Sequence, residues 1–449
     1  MPVPPGALEK VHALIAASTQ KEDLLRKLDP YFIDLSLREN PFGSRMGQTL
    51  EQKLAILPQL RAFGFQNILL GTLDYAYPKE LEVDDDFMMH LRDNKIDMTG
   101  GFAFTDIGLY RDGAWSPSDS MVKMQAYGVP NTLHEIYLSK EGMHGQYDLA
   151  TLKASLVPSI MWVHDNCVGD GGGKPRIILN VVDGCDAWAQ QPDVVAEVFG
   201  MLSDLPVVGV SLEDDRGTFM PFQVGAYVAS TRAVLPDKKI LVHMHSGAGF
   251  ENASLIEALL NGADGVWGGL PKRAAIIGHG SLGELIANLM RVGNQNVRKD
   301  YKVATLLPLA TKLQIEDTNV DGPDPDPDPD PHPQPVPEDL PILGSNAYRI
   351  TLDFFRQIEG RKMDLVPWEI GGKGGYRVAP LGSDVVVLEG RLREVMAEKG
   401  ILPPSPFPRP VIENMIFLMR RELRAGERIV YDEPDQLMAL YLRAQRLNA

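Results

Sequence analysis

His243 and His245, in "KILVHMHSGAG", are one residue apart at the end of an apolar run. In a β-strand residues i and i+2 project to the same side, so the two imidazoles point together and Met244 points away. The next stretch, "ENASLIEALLNGADG", has helical apolar spacing and a glycine stop at Gly262. Paired imidazoles at a strand-to-helix junction stand where α/β proteins place their chemistry. Joined by a carboxylate they make a divalent-cation site. Far upstream, "DLSLREN" offers that carboxylate as Glu39, beside the cation Arg38. Plainer readings stay open on spacing alone: a strand-end histidine that only hydrogen-bonds, and an Arg-Glu pair that only faces water.

The elements that must position these residues form a regular series. Apolar runs of β type fall at 31–37, 67–72, 97–104, 133–139, 176–182, 207–212, 239–245 and 264–269, with helical patterns after several of them. After the first run, Leu50, Leu54, Leu57, Leu60 and Phe63 make one helical stripe. Eight such units in about 260 residues predict a (β/α)8 TIM barrel. The competing doubly wound sheet lacks its Gly-x-Gly-x-x-Gly after the first strand. On the first run the alternation sets Leu35 and Leu37 on one side and Asp34, Ser36 and Arg38 on the other. That reading turns charge toward the barrel interior, where it needs a partner or a use.

The α/β barrel is expected over 31–312, after an N-terminal helical extension over 1–30. A Pro/Asp-rich linker over 313–341 follows, because "DGPDPDPDPDPHPQPVP" cannot enter a helix or a central strand and its like charges repel. A spacer is the plain reading of that tract and a calcium tract the other. The region 342–449 is mostly helical in pattern, interrupted by the Gly-rich 368–384. There Lys373 and Arg377 are the residues that could touch an anionic cofactor group, either in a lid over the site or in an ordinary connection.

The totals narrow the function classes. Of 449 residues, 44% are hydrophobic and 23% charged, as in a globular protein. A net charge of -16 without a Lys/Arg-rich run argues against nucleic acid as a partner. Two cysteines, Cys167 and Cys185, give no disulfide framework and suit a reducing compartment. No uncharged apolar run reaches membrane-spanning length, and the first thirty residues have no signal-peptide core. A cytoplasmic homo-oligomer with no membrane partner is expected.

"DLSLREN", "VHMHSGAG" and "GGLPKRAAIIGHGSLGELI" together resemble the HMG-CoA lyase-like metal-dependent barrels, with strand order intact. That family includes 2-isopropylmalate synthase, homocitrate synthase, HMG-CoA lyase and the 4-hydroxy-2-oxovalerate aldolases. By position, the resemblance implies Glu39, His243 and His245 as metal ligands and Arg38 as the catalytic cation. His279 takes the place of the family's Asn beside the metal and is expected as a ligand or a proton carrier. Asp214, in "SLEDDRG", falls on the family's Asp-Thr-x-Gly and is a further catalytic candidate. With His279 and His164 it completes the set of candidate proton carriers. The implied cofactor is a divalent cation, Zn, Mn, Fe or Co rather than Mg. The implied partners are a small oxo or hydroxy acid and, in the condensing members, acyl-CoA. The departures are specific: Leu270 replaces a cysteine, Leu69 the strand-two glutamate that holds the arginine, and Asn40-Pro41-Phe42 the usual Gly-Glu-Gln. The implied activity is a carbon–carbon lyase or an acyl-CoA/2-oxo-acid condensing enzyme, with an aldolase or a non-catalytic barrel as alternatives.

Overall fold

The computed structural model describes residues 3–38, 47–73, 81–111, 113–143, 147–246, 249–270, 279–318, 378–380, 383, 385–431 and 433–447. Eight parallel strands follow one another around a closed barrel: β1 (Tyr31–Asp34), β2 (Ile68–Thr72), β3 (Gly101–Asp106), β4 (Asn131–Ile136), β5 (Ile177–Val181), β6 (Gly209–Asp214), β7 (Lys239–Met244) and β8 (Gly265–Gly268). Closure is made by β8 on β1, in register from Tyr31↔Gly265 to Asp34↔Gly268. Each run expected to be a strand contains one, with ends shifted by a few residues.

Strand alternation divides the apolar residues into two sets. Ile33, Leu35, Leu69, Phe102, Phe104, Leu133, Ile178, Leu241 and Trp267 fill the barrel interior. Phe32, Ile68, Leu70, Val210, Leu212, Ile240, Val242 and Val266 face the helices. The same parity carries Asn180, Glu213 and His243 inward at the carboxyl ends of β5, β6 and β7, the end where barrel sites are built.

β1 corrects one expectation. The strand stops at Asp34, and Asp34 shares parity with Phe32, so it faces the helix layer and not the interior. Its carboxylate accepts the main-chain N–H and the hydroxyl of Ser36, each at 3.0 Å, and this turns the chain. Leu37 consequently packs in the outer layer, on the side opposite to Leu35.

The helix α1 (Ala7–Lys27) precedes the barrel. The crossover helices are α2 (Leu50–Phe63), α3 (Val83–Asp93), α4 (Asp119–Tyr127), α5 (Leu149–Asn166), α6 (Gly184–Gln190), α7 (Pro192–Leu202), α8 (Pro221–Val234), α9 (Glu251–Leu260) and α10 (Leu282–Arg291). A two-stranded hairpin, Leu109–Arg111 with Ala114–Ser116, follows β3. Its three-residue strands are too short to leave a period in the sequence. Beyond the barrel, α11 (Gln295–Asp300) leads to α12 (Leu306–Thr318), which passes the expected linker boundary at 313.

The last helices, α13 (Val385–Glu398), α14 (Arg409–Arg424) and α15 (Pro434–Arg446), bury a core of their own around Leu388, Leu392, Ile412, Met415, Met419 and Leu437. α14 docks on α3 through Arg420, 2.5 Å from Glu82, and through Arg424, which grips both oxygens of Asp86 at 2.7 and 2.9 Å. α3 begins at the carboxyl end of β2, so this docking lies on the site end of the barrel. Among the described residues, no helix is long and apolar enough to cross a membrane. Glu39, Lys373 and Arg377, with most of the Gly-rich stretch and the Pro/Asp tract, lie outside the described residues.

Candidate metal centre

His243 is carried inward by β7, and His245 follows at once, its main-chain N–H donating to the Asp214 carbonyl at 3.0 Å. His279 arrives from beyond β8. It forms an antiparallel bridge with His245, and the next N–H, of Gly280, donates to the Met244 carbonyl at 2.8 Å. The ring centres lie 4.7 Å apart for His243 and His245, 4.6 Å for His243 and His279, and 5.1 Å for His245 and His279. One nitrogen from each ring lies within 4.8 Å of the other two, a spacing that one cation can bridge.

Hydrogen bonding fixes which nitrogens are available. Nδ1 of His243 is 2.9 Å from the Trp267 carbonyl, an acceptor only, so that nitrogen bears the proton and donates. Nε2 of His245 is 2.9 Å from a carboxylate oxygen of Glu213 and donates likewise. This leaves lone pairs on Nε2 of His243 and Nδ1 of His245, both buried and without a hydrogen-bond partner among the described residues. Burial, then the charges of the neighbouring imidazoles, holds His243 well below the usual imidazole range; burial and His245 do the same to His279. A neutral ring with one nitrogen tied back and the other open, as His243 has, is the ligating form of histidine.

Glu213 is itself held, its other oxygen accepting the Nδ2–H of Asn180 at 2.9 Å. His243 stacks on Trp267, with ring centres 3.6 Å apart and planes 10° from parallel. The Trp267 indole donates to the Ser211 hydroxyl at 2.7 Å. Phe104 meets Trp267 edge-on at 5.2 Å, and the Arg38 guanidinium lies 4.4 Å above the Phe104 ring. His243, Trp267, Phe104 and Arg38 thus share one aromatic floor across the barrel mouth. The Arg38 Nε–H donates to the Thr72 hydroxyl at 2.7 Å.

His243, His245 and His279 stand together and Arg38 shares their floor. Asp214 does not join them: parity turns it toward the helices, and its carboxylate accepts the Gly217 and Phe219 N–H groups at 2.9 and 3.0 Å. Burial raises it to about 6, and its place is that of a turn builder. His164 sits in the last turn of α5, at the end of the barrel opposite the site, beside Asp165 at 2.8 Å. It is removed from the candidate proton carriers. Leu270 packs in the helix layer, and Leu69 is buried in the interior. Glu213, Asn180, Trp267 and Thr72 went unnoticed in the sequence. For Glu213 a signal existed: Val210 and Leu212 face the helices, so in "VSLED" Glu213, not Asp214, points inward.

No family model and no curated protein matches the chain. Solved HMG-CoA lyases are similar to it in fold. The Bacillus subtilis enzyme aligns at a TM-score of 0.51 and 16% identity over 65% of this chain and 94% of its own. The Brucella melitensis enzyme gives 0.52 and 15% over 65% and 100%. The Acinetobacter baumannii enzyme, in complex with coenzyme A and 3-methylmalate, gives 0.51 and 14% over 69% and 99%. The fold that the sequence resemblance implied is the fold found.

Proposed function

We propose that the chain is a metal-dependent enzyme that makes or breaks a carbon–carbon bond beside a carbonyl, as an HMG-CoA lyase-like lyase or an acyl-CoA/2-oxo-acid condensing enzyme. The observation that carries this reading is the pair of buried, uncommitted lone pairs on Nε2 of His243 and Nδ1 of His245, beside His279. His243, His245 and His279 would hold a divalent cation, with Glu39, next after Arg38 in the sequence, as the fourth candidate. An imidazole-rich set favours Zn, Mn, Fe or Co over Mg, which prefers oxygen. A cation held there would supply Lewis-acid polarisation of a carbonyl and stabilisation of developing negative charge.

The chain's own residues account for the rest. Glu213 and the Trp267 carbonyl keep two imidazoles in the ligating tautomer. Arg38, always charged, presents its guanidinium to the same mouth, where it stabilises an oxygen that gains negative charge. The aromatic floor excludes water and strengthens that attraction. The substrate class this fits is a small oxo or hydroxy acid, and likeness to a lyase solved with coenzyme A supports an acyl-CoA as co-substrate. We place the enzyme in the cytoplasm as a homo-oligomer, with Lys373 and Arg377 as candidate contacts for an anionic cofactor group. An aldolase of a hydroxy-oxo acid without coenzyme A is the alternative among enzymes, and Leu69 and Leu270, which supply neither carboxylate nor thiol, support a non-catalytic binding or scaffold barrel.

Metal analysis of the purified protein, then assays on the metal-loaded enzyme, tests both readings. Thiol release from acetyl-CoA with one of a panel of 2-oxo acids supports condensation. Pyruvate release from hydroxy-oxo acids supports the aldolase. A metal-free protein inert in both assays overturns the enzymatic reading in favour of a binding or scaffold barrel.

A further inference from the structure

Arg38 has lost the glutamate that the family resemblance would place on strand two, yet its guanidinium is held. The hydroxyl of Thr72, the last residue of β2, accepts the Arg38 Nε–H at 2.7 Å. The main-chain N–H of Thr72 in turn donates to Asp84, in the first turn of α3, at 2.7 Å. The other oxygen of Asp84 lies 2.9 Å from the Lys53 ammonium of α2, and Lys53 also donates to the Leu37 carbonyl, one residue before Arg38. Thr72, Asp84 and Lys53 are all buried. The loop therefore closes on itself: Arg38, Thr72, Asp84, Lys53 and back to Leu37.

Gly71 shows that this arrangement is built into the chain. A Cβ at Gly71 would stand 2.6 Å from the Asp84 carboxyl carbon and from one of its oxygens. Only a residue without a side chain lets that carboxylate approach the strand end and take the Thr72 N–H. A buried lysine needs an anion beside it, and Asp84 supplies one while also fixing Thr72.

We propose that Thr72, backed by Asp84 and Lys53 and admitted by Gly71, is a positioning residue for Arg38, its hydroxyl fixing the Nε edge of the guanidinium. The inference rests on the reading of Arg38 as the cation that meets the enolate oxygen.

Full-length protein loaded with Mn²⁺ is titrated with oxalate, a planar dianion shaped like the enolate of a 2-oxo acid, by calorimetry. Thr72→Val removes the hydroxyl at constant shape, and Thr72→Ser restores it. Expected are about tenfold weaker oxalate binding in Thr72→Val, recovery in Thr72→Ser, and unchanged metal content in both. In an Arg38→Ala background, Thr72→Val should change oxalate binding no further, because it acts through the arginine. Equal binding by Thr72→Val and the wild type overturns the proposal, as does an equal loss in both backgrounds. If the wild type binds metal but no oxalate, the functional reading fails, and crystal structures of the two Thr72 variants decide the positioning separately. A guanidinium displaced from Phe104 in Thr72→Val and in place in Thr72→Ser supports it; one in place in both overturns it.

Discussion

The two halves of the barrel mouth are held in different ways. On the β5–β8 side the groups that orient the imidazoles are the strands themselves: the Trp267 carbonyl, and Glu213 and Asn180 at inward positions of neighbouring strands. On the β1–β2 side the arginine follows a turn, and its support reaches through the helix layer by Thr72, Asp84 and Lys53. One half is fixed by sheet register, which is stiff and set early by alternation. The other depends on side chains from two helices, and through α3 it touches the C-terminal helices. The imidazole half should therefore survive damage that disables the arginine half, and the reverse should not hold for activity.

The largest effect should come from the strand-built half. Changing both His243 and His245 to alanine should take the metal from about one ion per chain to a trace, with the barrel still folded. Elemental analysis beside a circular dichroism melt checks this, and a stoichiometric ion in the double variant would break the assignment. Arg38→Ala should separate the halves: metal content stays, while turnover, once a substrate is in hand, falls about 10²–10³-fold. Arg38→Lys should not recover it, since a lysine lacks the planar fork that spans Thr72 and an anion.

Smaller changes sharpen the comparison. Glu213→Gln keeps the shape but loses the charge behind His245, and metal affinity should weaken about 10–100-fold in competition with a chelator. An unchanged affinity would mean that the carboxylate is only a neighbour. Arg424→Ala removes a partly exposed bidentate grip on Asp86 and should cost about 1 kcal/mol in denaturant unfolding, with metal content untouched. A loss of metal in that variant would show that the two halves are not separately held.

The same contrast explains what could be read in advance. The barrel was legible because eight strands with helical patterns between them leave a period in the chain. His243 and His245 were legible because two imidazoles on one strand leave a spacing of two. His279, 34 residues beyond His245, was found only through resemblance to a family. Glu213 was open to parity but overshadowed by Asp214 next door, which the structure gives to a turn. Thr72 and Asp84 leave no local mark: the hydroxyl stands 34 residues after the arginine and the carboxylate 12 further on, and only folding brings them together. Asp34 misled because the wrong face of β1 was taken as the inward one: Ile33 and Leu35 face the interior, and Asp34 lies with Phe32 on the helix side.

The central claim is that His243, His245 and His279 surround one cation beside Arg38. An anomalous-difference map from crystals of the metal-loaded protein, collected at the absorption edge of the bound ion, tests it most directly. A single peak within bonding distance of Nε2 of His243 and Nδ1 of His245, with His279 beside it, is the result the account predicts. A protein that takes up metal elsewhere and shows no density between these imidazoles would contradict it.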